Sequence, residues 1–173
     1  MIDLTNITSV TTNSREVTKG SLFFAIKGAK ADGHDYIEKA IEQGAAAIVG
    51  EKDIKPSVPY FKSDNIRHDL AITAAKFYKS QPSKLVVVTG TNGKTSTADF
   101  CRQFFEMAGQ DACSIGTLGF IHGTENVEFD NTSPDPVIMH KYLAEVKDFA
   151  AIEGSSIGLD QHRLDGLNIT AAG

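Results

Sequence analysis

The sequence predicts an α/β fold in two parts, and three observations carry that prediction. Short apolar runs rich in β-branched and aromatic residues alternate with stretches whose apolar residues recur at helical spacing, the pattern of sheets covered by helices. The polar break Ser80-Gln81-Pro82-Ser83 separates two such series. The second series opens on Leu85-Val86-Val87-Val88-Thr89-Gly90-Thr91-Asn92-Gly93-Lys94-Thr95-Ser96, which reads strand, glycine loop, helix. The expected organisation is a small α/β domain over residues 1–82, then the first part of a parallel-sheet domain over 83–173.

Taken in order, residues 3–28 read as β structure, with a polar turn at Thr12-Asn13-Ser14-Arg15 and a strand over Ser21–Ile26. Gly28–Gly33 reads as a loop. His34-Asp35 starts a helix carrying Ile37, Ala40 and Ile41 on one face and closed by Gly44. Ala45–Val49 is a short buried strand, and Tyr60-Phe61 an edge strand. Ser63-Asp64-Asn65 caps a helix with Ile66, Leu70, Ala74 and Phe77 facing inward.

In the second part, Ala98, Cys101, Phe104, Phe105 and Ala108 form the inner face of the helix after the glycine loop, and Gly109 stops it. Ala112–Ile115 is a strand. Leu118–Ile121 and Val127–Phe129 form a hairpin across Gly123-Thr124-Glu125-Asn126. Asp135 caps a helix that has Pro136 at its first position and Met139, Leu143 and Val146 inward. Phe149–Ile152 is a buried strand with Glu153 at its end, and Leu167–Ala172 is a last strand-like run. That run reads as a core strand with no helix after it, so the reading is of a fragment or truncated product.

The totals narrow the chemistry. The chain has 173 residues, 41% hydrophobic and 23% charged, with a formal net charge of −5. An acidic chain is a poor general binder of nucleic acid. No apolar run reaches membrane-spanning length, and the N-terminus lacks a signal-peptide pattern. Cys101 and Cys113 have neither disulfide-framework nor metal-ligand spacing and read as core thiols. These features place the expected location in the cytoplasm.

The glycine loop is a phosphate cradle. Gly90 and Gly93 let the backbone turn and approach a ligand closely. Lys94 and Thr95 open a helix whose first N–H groups point back into the loop. The lysine adds a point charge and the threonine hydroxyl suits Mg²⁺. The longer Walker form would need glycine where Val88 stands, so the match is to G-x-x-G-K-T. The expected ATP contacts are Gly90, Thr91, Asn92, Gly93, Lys94, Thr95 and Ser96.

Glu153 is the second anchor, because ligands of open α/β sheets sit at the carboxyl ends of strands. With Thr95 it makes a candidate Mg²⁺ pair. The third is Gly154–Gly166, dense in polar groups and glycine. Composition alone makes this a polar loop with a surface arginine, in which Arg163 could hold a phosphate or carboxylate bidentately and Gln161 and Ser155 could fix a polar ligand. His162 reads as structural. Thr132-Ser133, before a helix N-terminus, and Ser14-Arg15, in a turn, are weaker candidates.

N-S-R-E-V-x-x-G-S-L-F-F-A-I-x-G with A-D-G-H-D-Y-I, then V-T-G-T-N-G-K-T-S, T-S-P-D-P and E-G-S-S-I-G-L-D-Q-H-R-L-D-G together resemble the Mur ligases, in particular their tripeptide-synthetase branch. The resemblance implies a cytoplasmic, ATP- and Mg²⁺-dependent ligase of peptidoglycan precursor synthesis. Such an enzyme joins meso-diaminopimelate or L-lysine to UDP-N-acetylmuramoyl-L-alanyl-D-glutamate through an acyl phosphate. It implies catalytic roles for Lys94 and Glu153 and metal ligation by Thr95 and Glu153. Ser14 would meet the uridine end of the substrate, and Thr132, Ser133, Ser155, Gln161 and Arg163 its pyrophosphate and muramoyl part.

The family pattern also differs in places. Ile157 stands where a histidine is usual, and Ser133 where threonine is common. The family's carbamylated lysine, second-metal histidine, adenine contacts and amino-acid-binding domain are expected beyond Gly173, so the 173 residues alone are expected to be inactive in ligation. The alternatives are a non-catalytic UDP-nucleotide-binding remnant and a folylpolyglutamate synthase-like ligase.

Overall fold

The computed structural model describes residues 2–28 and 31–173. The chain divides into two compact units between Thr73 and Ala74.

The first unit is built on a four-stranded, all-parallel sheet of β1 (Ser9–Thr11), β2 (Ser21–Phe24), β3 (Ala47–Gly50) and β4 (Tyr60–Lys62), in that order. All four carboxyl ends therefore lie along one edge. β2 and β3 are buried throughout, as their unbroken apolar runs predict. β2 stops at Phe24, two residues before the expected end, because Ile26 closes a tight local turn onto the Phe24 carbonyl. β3 begins at Ala47 rather than Ala45, since Ala45 still bonds back to the helix carbonyl of Ala40. A one-turn 3-10 helix over Gly33–Tyr36 leads into α1 (Ile37–Glu42), whose Ile37 and Ala40 pack on Phe23, Ala25 and Ile48. The loop expected over 28–33 is described only at its ends, because Ala29 and Lys30, like Met1, lie outside the described residues.

Within that loop the A-D-G-H-D run forms a lock. Asp32 caps the 3-10 turn through the His34 N–H at 3.0 Å, and its carboxylate meets His34 Nδ1 at 2.7 Å and Lys52 Nζ at 2.8 Å. The Glu51 N–H donates to His34 Nε2 at 3.0 Å, so the imidazole carries its proton on Nδ1 and donates to Asp32. A side chain at Gly33 would fall 2.6 Å from the Ile26 main chain, which is why glycine stands there. α2 (Ile66–Tyr78) runs across the division between the units. It buries Ile66, Leu70 and Ala74 as expected, with Phe77 half-buried.

The second unit holds a six-stranded sheet in the order β10-β5-β9-β6-β7-β8. β5 (Lys84–Val88), β6 (Ala112–Gly116), β9 (Phe149–Glu153) and β10 (Ala171–Ala172) are parallel, and β7 (Gly119–His122) and β8 (Glu125–Val127) extend the sheet antiparallel. The strands carry apolar side chains to both faces. Leu85, Val87, Cys113, Ile115, Ala150 and Ile152 pack with Met139, Leu143 and Val146 of α4 (Pro136–Leu143) and its following turn. Phe149, Ala151 and Ala112 pack with Ala98, Cys101 and Phe105 of α3 (Lys94–Met107). Phe105 stacks on Phe149 with ring centroids 3.7 Å apart.

Four expectations need correction. Phe104 is 68% exposed and Ala108 is also outside; only Ala98, Cys101 and Phe105 of the expected inner face reach the sheet. The hairpin turn is just Gly123-Thr124, because Glu125 pairs with His122 and Asn126 with Ile121, and Gly123 supplies the left-handed φ that such a turn needs. The run over 167–172 contributes only Ala171 and Ala172 as strand, exposed at the sheet edge beside β5. The 154–166 stretch is not all loop, since Ser156–Asp160 forms the short helix α5 capped by Ser155. Gly109 closes α3 as expected: its N–H bonds to Glu106 and the Gln110 N–H to Phe105, the reciprocal pair of a Schellman stop.

Candidate nucleotide and metal site

The site is made by strand order. β9 lies between β5 and β6, and its register with β5 sets Glu153 opposite Val88. The glycine loop leaves β5 right after Val88, so the Glu153 carboxylate meets Thr95, 58 residues earlier in the chain, at the start of α3. Gly90 and Gly93 both take positive φ, and Gly93 is the N-cap of α3. The amino end of a fourteen-residue helix therefore faces the loop. Lys94 Nζ donates to the Gly90 carbonyl at 2.6 Å, folding the lysine over the cradle. Thr91, Asn92 and Ser96 are exposed around it.

Glu153 is 2% exposed yet fully engaged. The Thr95 hydroxyl donates to Oε2 at 3.0 Å, the Thr117 N–H to Oε1 at 2.7 Å and the Thr117 hydroxyl to Oε2 at 3.2 Å. Gly116 makes this possible, because a side chain there would lie 2.5 Å from Glu153 Cγ and Cδ. Three donors on its two oxygens fix the direction of the carboxylate. A hydroxyl and a carboxylate converging at 3.0 Å would offer the hard oxygen donors that Mg²⁺ takes. No group of three or more His, Cys, Asp or Glu that could hold a metal occurs among the described residues.

Thr117 is a residue that sequence reasoning missed. It follows β6, and besides holding Glu153 its hydroxyl lies 3.1 Å from that of Thr132, linking the carboxylate to the loop before α4. Its signal in sequence is faint: a threonine after a strand-ending glycine.

The remaining candidates of this unit cluster beyond β9. Ser133 donates to the Glu153 carbonyl at 2.9 Å and receives the Ser155 N–H at 3.2 Å. The Arg163 guanidinium donates to the Ser133 carbonyl at 2.5 Å and to Gln161 Oε1 at 2.7 Å. A concavity of about 420 Å³ is lined by Thr89, Gly90, Thr91 and Lys94 from one side and Ser155 and Ser156 from the other. His162 pairs with Asp165 at 2.8 Å in a local turn, and Ile157 is exposed. Ser14 lies in the first unit, buried in the turn that leaves the carboxyl end of β1. Cys113 is sealed in the core, and burial pushes its thiol up. No helix among the described residues is long and apolar enough to cross a membrane.

Comparison with known proteins adds to this geometry. Residues 6–79 match the profile described as Mur ligase family, catalytic domain, and residues 88–172 the Mur ligase middle domain. Relatives named UDP-N-acetylmuramoyl-L-alanyl-D-glutamate–2,6-diaminopimelate ligase include one from Chelativorans sp. strain BNC1, 45% identical over 98% of this chain and 36% of its own length. Another, from Brucella melitensis, is 47% identical over 95% of this chain and 35% of its own length. The chain thus spans little more than a third of the curated relatives it matches. A solved structure with the same ligase name superposes with a TM-score of 0.85 at 24% identity, over 96% of this chain and 35% of that one. A MurF ligase from Thermotoga maritima in complex with ADP gives 0.65 at 25% identity, over 98% and 37%. With both parts of the chain matched and relatives above 40% identity along nearly all of it, this chain belongs to the Mur ligase family.

Proposed function

We propose that this chain forms the UDP-nucleotide-holding and ATP-phosphate-holding portion of an ATP-dependent ligase of peptidoglycan precursor synthesis, in the cytoplasm. The whole enzyme adds a diamino acid, meso-diaminopimelate or L-lysine, to UDP-N-acetylmuramoyl-L-alanyl-D-glutamate. The observation that carries this reading is the meeting of the Thr95 hydroxyl and the Glu153 carboxylate beside Lys94 and the phosphate loop. Activating a carboxylate by phosphoryl transfer requires neutralising charge on the transferring oxygens, and these groups suit that task.

In this reading Gly90, Thr91, Asn92, Gly93, Thr95 and Ser96 cradle the ATP phosphates. Lys94 leaves the Gly90 carbonyl and pairs with a phosphate oxygen. Thr95 and Glu153 would hold Mg²⁺, which would offset the negative charge of the phosphate groups. Thr132, Ser133, Ser155, Gln161 and Arg163 form the pyrophosphate and muramoyl side, of which Ser155 lines the concavity shared with Lys94. The substrate's terminal carboxylate takes the γ-phosphoryl group as an acyl phosphate. The amine of the incoming amino acid then attacks the acyl carbon and inorganic phosphate leaves. In the first domain, proposed to span residues 1–82 with the phosphate-binding part following over 83–173, Ser14 meets the uridine end.

Calorimetric titration tests this. UDP-N-acetylmuramoyl-L-alanyl-D-glutamate is expected to bind saturably, and ATP to bind only with Mg²⁺. A folded sample that binds neither refutes the reading, and preferential binding of a folate would redirect it to a different acceptor.

A further inference from the structure

We infer that His162 is a positioning residue: its left-handed backbone ends α5 and aims Arg163 back onto the Ser133 carbonyl. The inference rests on the functional reading above and extends it to a residue outside the substrate-holding group. Helix α5 has only five residues and stops sharply. The His162 N–H bonds to the Leu159 carbonyl at 3.1 Å and the Arg163 N–H to the Gly158 carbonyl at 2.9 Å. With Gln161 as C-cap, these are the two reciprocal bonds of a Schellman stop, and His162 fills its left-handed position. Its φ is +57°. Glycine ordinarily stands there, as Gly109 does after α3, because a β-carbon is crowded in that conformation. A histidine in its place is strained backbone that the surroundings must hold.

They hold it with a closed ring of bonds. His162 Nδ1 lies 2.8 Å from Asp165 Oδ2; a carboxylate only accepts, so the Nδ1 hydrogen is donated. The Asp165 N–H returns to the His162 carbonyl at 3.2 Å. Leu164, between them in sequence, is buried in the core with Leu85, Val87 and Ile152, which pins the turn to the sheet. Arg163 leaves the stop with its guanidinium on the Ser133 carbonyl at 2.5 Å and on Gln161 Oε1 at 2.7 Å. A right-handed residue at 162 would let α5 wind on and carry Arg163 off that heading.

The test compares His162→Ala with His162→Gly in this chain, by titration with UDP-N-acetylmuramoyl-L-alanyl-D-glutamate and with Mg²⁺·ATP. Both changes delete the imidazole and its bond to Asp165, but only alanine still resists the left-handed conformation. His162→Ala is expected to weaken the UDP ligand about tenfold and to leave Mg²⁺·ATP within about twofold. His162→Gly is expected to restore the UDP ligand to within about twofold. In an Arg163→Ala background the same His162→Ala change is expected to cost less than about twofold, because no guanidinium is left to misdirect. A loss that glycine does not restore, an equal loss for ATP, no loss in His162→Ala, or a loss undiminished without Arg163 overturns the inference.

Amide hydrogen exchange decides without a ligand, and does so even if His162→Ala does not fold. The His162 and Arg163 amides are expected to be protected in the unaltered chain and in His162→Gly. Exchange of both as fast as an exposed loop in either overturns the inference. If the unaltered chain binds no UDP ligand while this protection holds, the functional reading fails and the setting of Arg163 by residue 162 stands.

Discussion

Replacing Gly116 by alanine would add one methyl group and strike the centre of the proposed metal site. Gly116 does not take the left-handed backbone, so alanine meets no conformational penalty and the effect is purely one of space. The added carbon would sit 2.5 Å from Glu153 Cγ and Cδ, whereas ordinary contact begins near 3.4 Å. The carboxylate must therefore move by about 1 Å, a displacement that costs on the order of 100-fold where charge placement matters. Its bonds from Thr95 and both donors of Thr117 stretch together. Overpacking of this kind destabilises by about 1–3 kcal/mol.

The assay is a double-mutant cycle by urea unfolding, with Mg²⁺·ATP binding measured in parallel. Gly116→Ala alone is expected to cost about 2 kcal/mol and to weaken Mg²⁺-dependent ATP binding about 100-fold. In a Glu153→Ala background the obstructed side chain is gone, and the same methyl is expected to cost less than about 0.5 kcal/mol. Additive effects in the two backgrounds would refute the reasoning, because the clash with Glu153 would then not be the cause.

Lys94→Ala is expected to bring ATP binding below detection while leaving the UDP-muramoyl dipeptide within about twofold, and equal loss of both in titration would contradict separate sites. Thr117→Val keeps the main-chain bond to Glu153 but removes the hydroxyl; about 1 kcal/mol of stability and a several-fold weaker response to Mg²⁺ are expected, and an unchanged Mg²⁺ titration would dismiss the role assigned to Thr117. The His122 ring beside Asp111, at 2.5 Å, and the Lys147 N–H hold the Asp111 carboxyl below its ordinary value. Its contribution is therefore present above the usual carboxylate range and lost as pH falls through the depressed value. Asp111→Asn is expected to be about 1 kcal/mol less stable at pH 7, a modest figure because the group is partly exposed. It is also expected to lose stability less steeply below about pH 4, which acid titration of the folded signal checks. Asp32→Asn removes the charge that pairs with Lys52 and anchors His34, so a lower melting midpoint for the 2–73 unit is expected, and an unchanged one would show the lock to be dispensable.

Local chemistry made much of this chain legible as sequence. The apolar run before Gly90 and the glycines around Lys94 mark a strand, a tight turn and a helix start through local patterning and backbone sterics. Asp135 with Pro136 dictates a helix start, and Gly109 a helix stop, because caps are local hydrogen-bond problems. Helix faces were less legible. Phe104 fits the inner spacing of α3 as well as Phe105 does, and only the position of Phe149 on the sheet selects between them.

Strand order and polar partnership belonged to tertiary structure. Nothing near Phe149–Glu153 says that it inserts between β5 and β6, because pairing depends on contacts tens of residues apart. That insertion sets Glu153 against Thr95, brings Thr117 to the same carboxylate, and lays Ser133 across the end of β9. Sequence singled out Lys94 and Glu153 as candidates, since a glycine loop and a strand-end carboxylate are recognisable one at a time. Which hydroxyl faces a ligand and which is buried in the frame is a matter of three-dimensional hydrogen-bond saturation, and a serine reads the same in sequence whether its lone pairs are open or occupied.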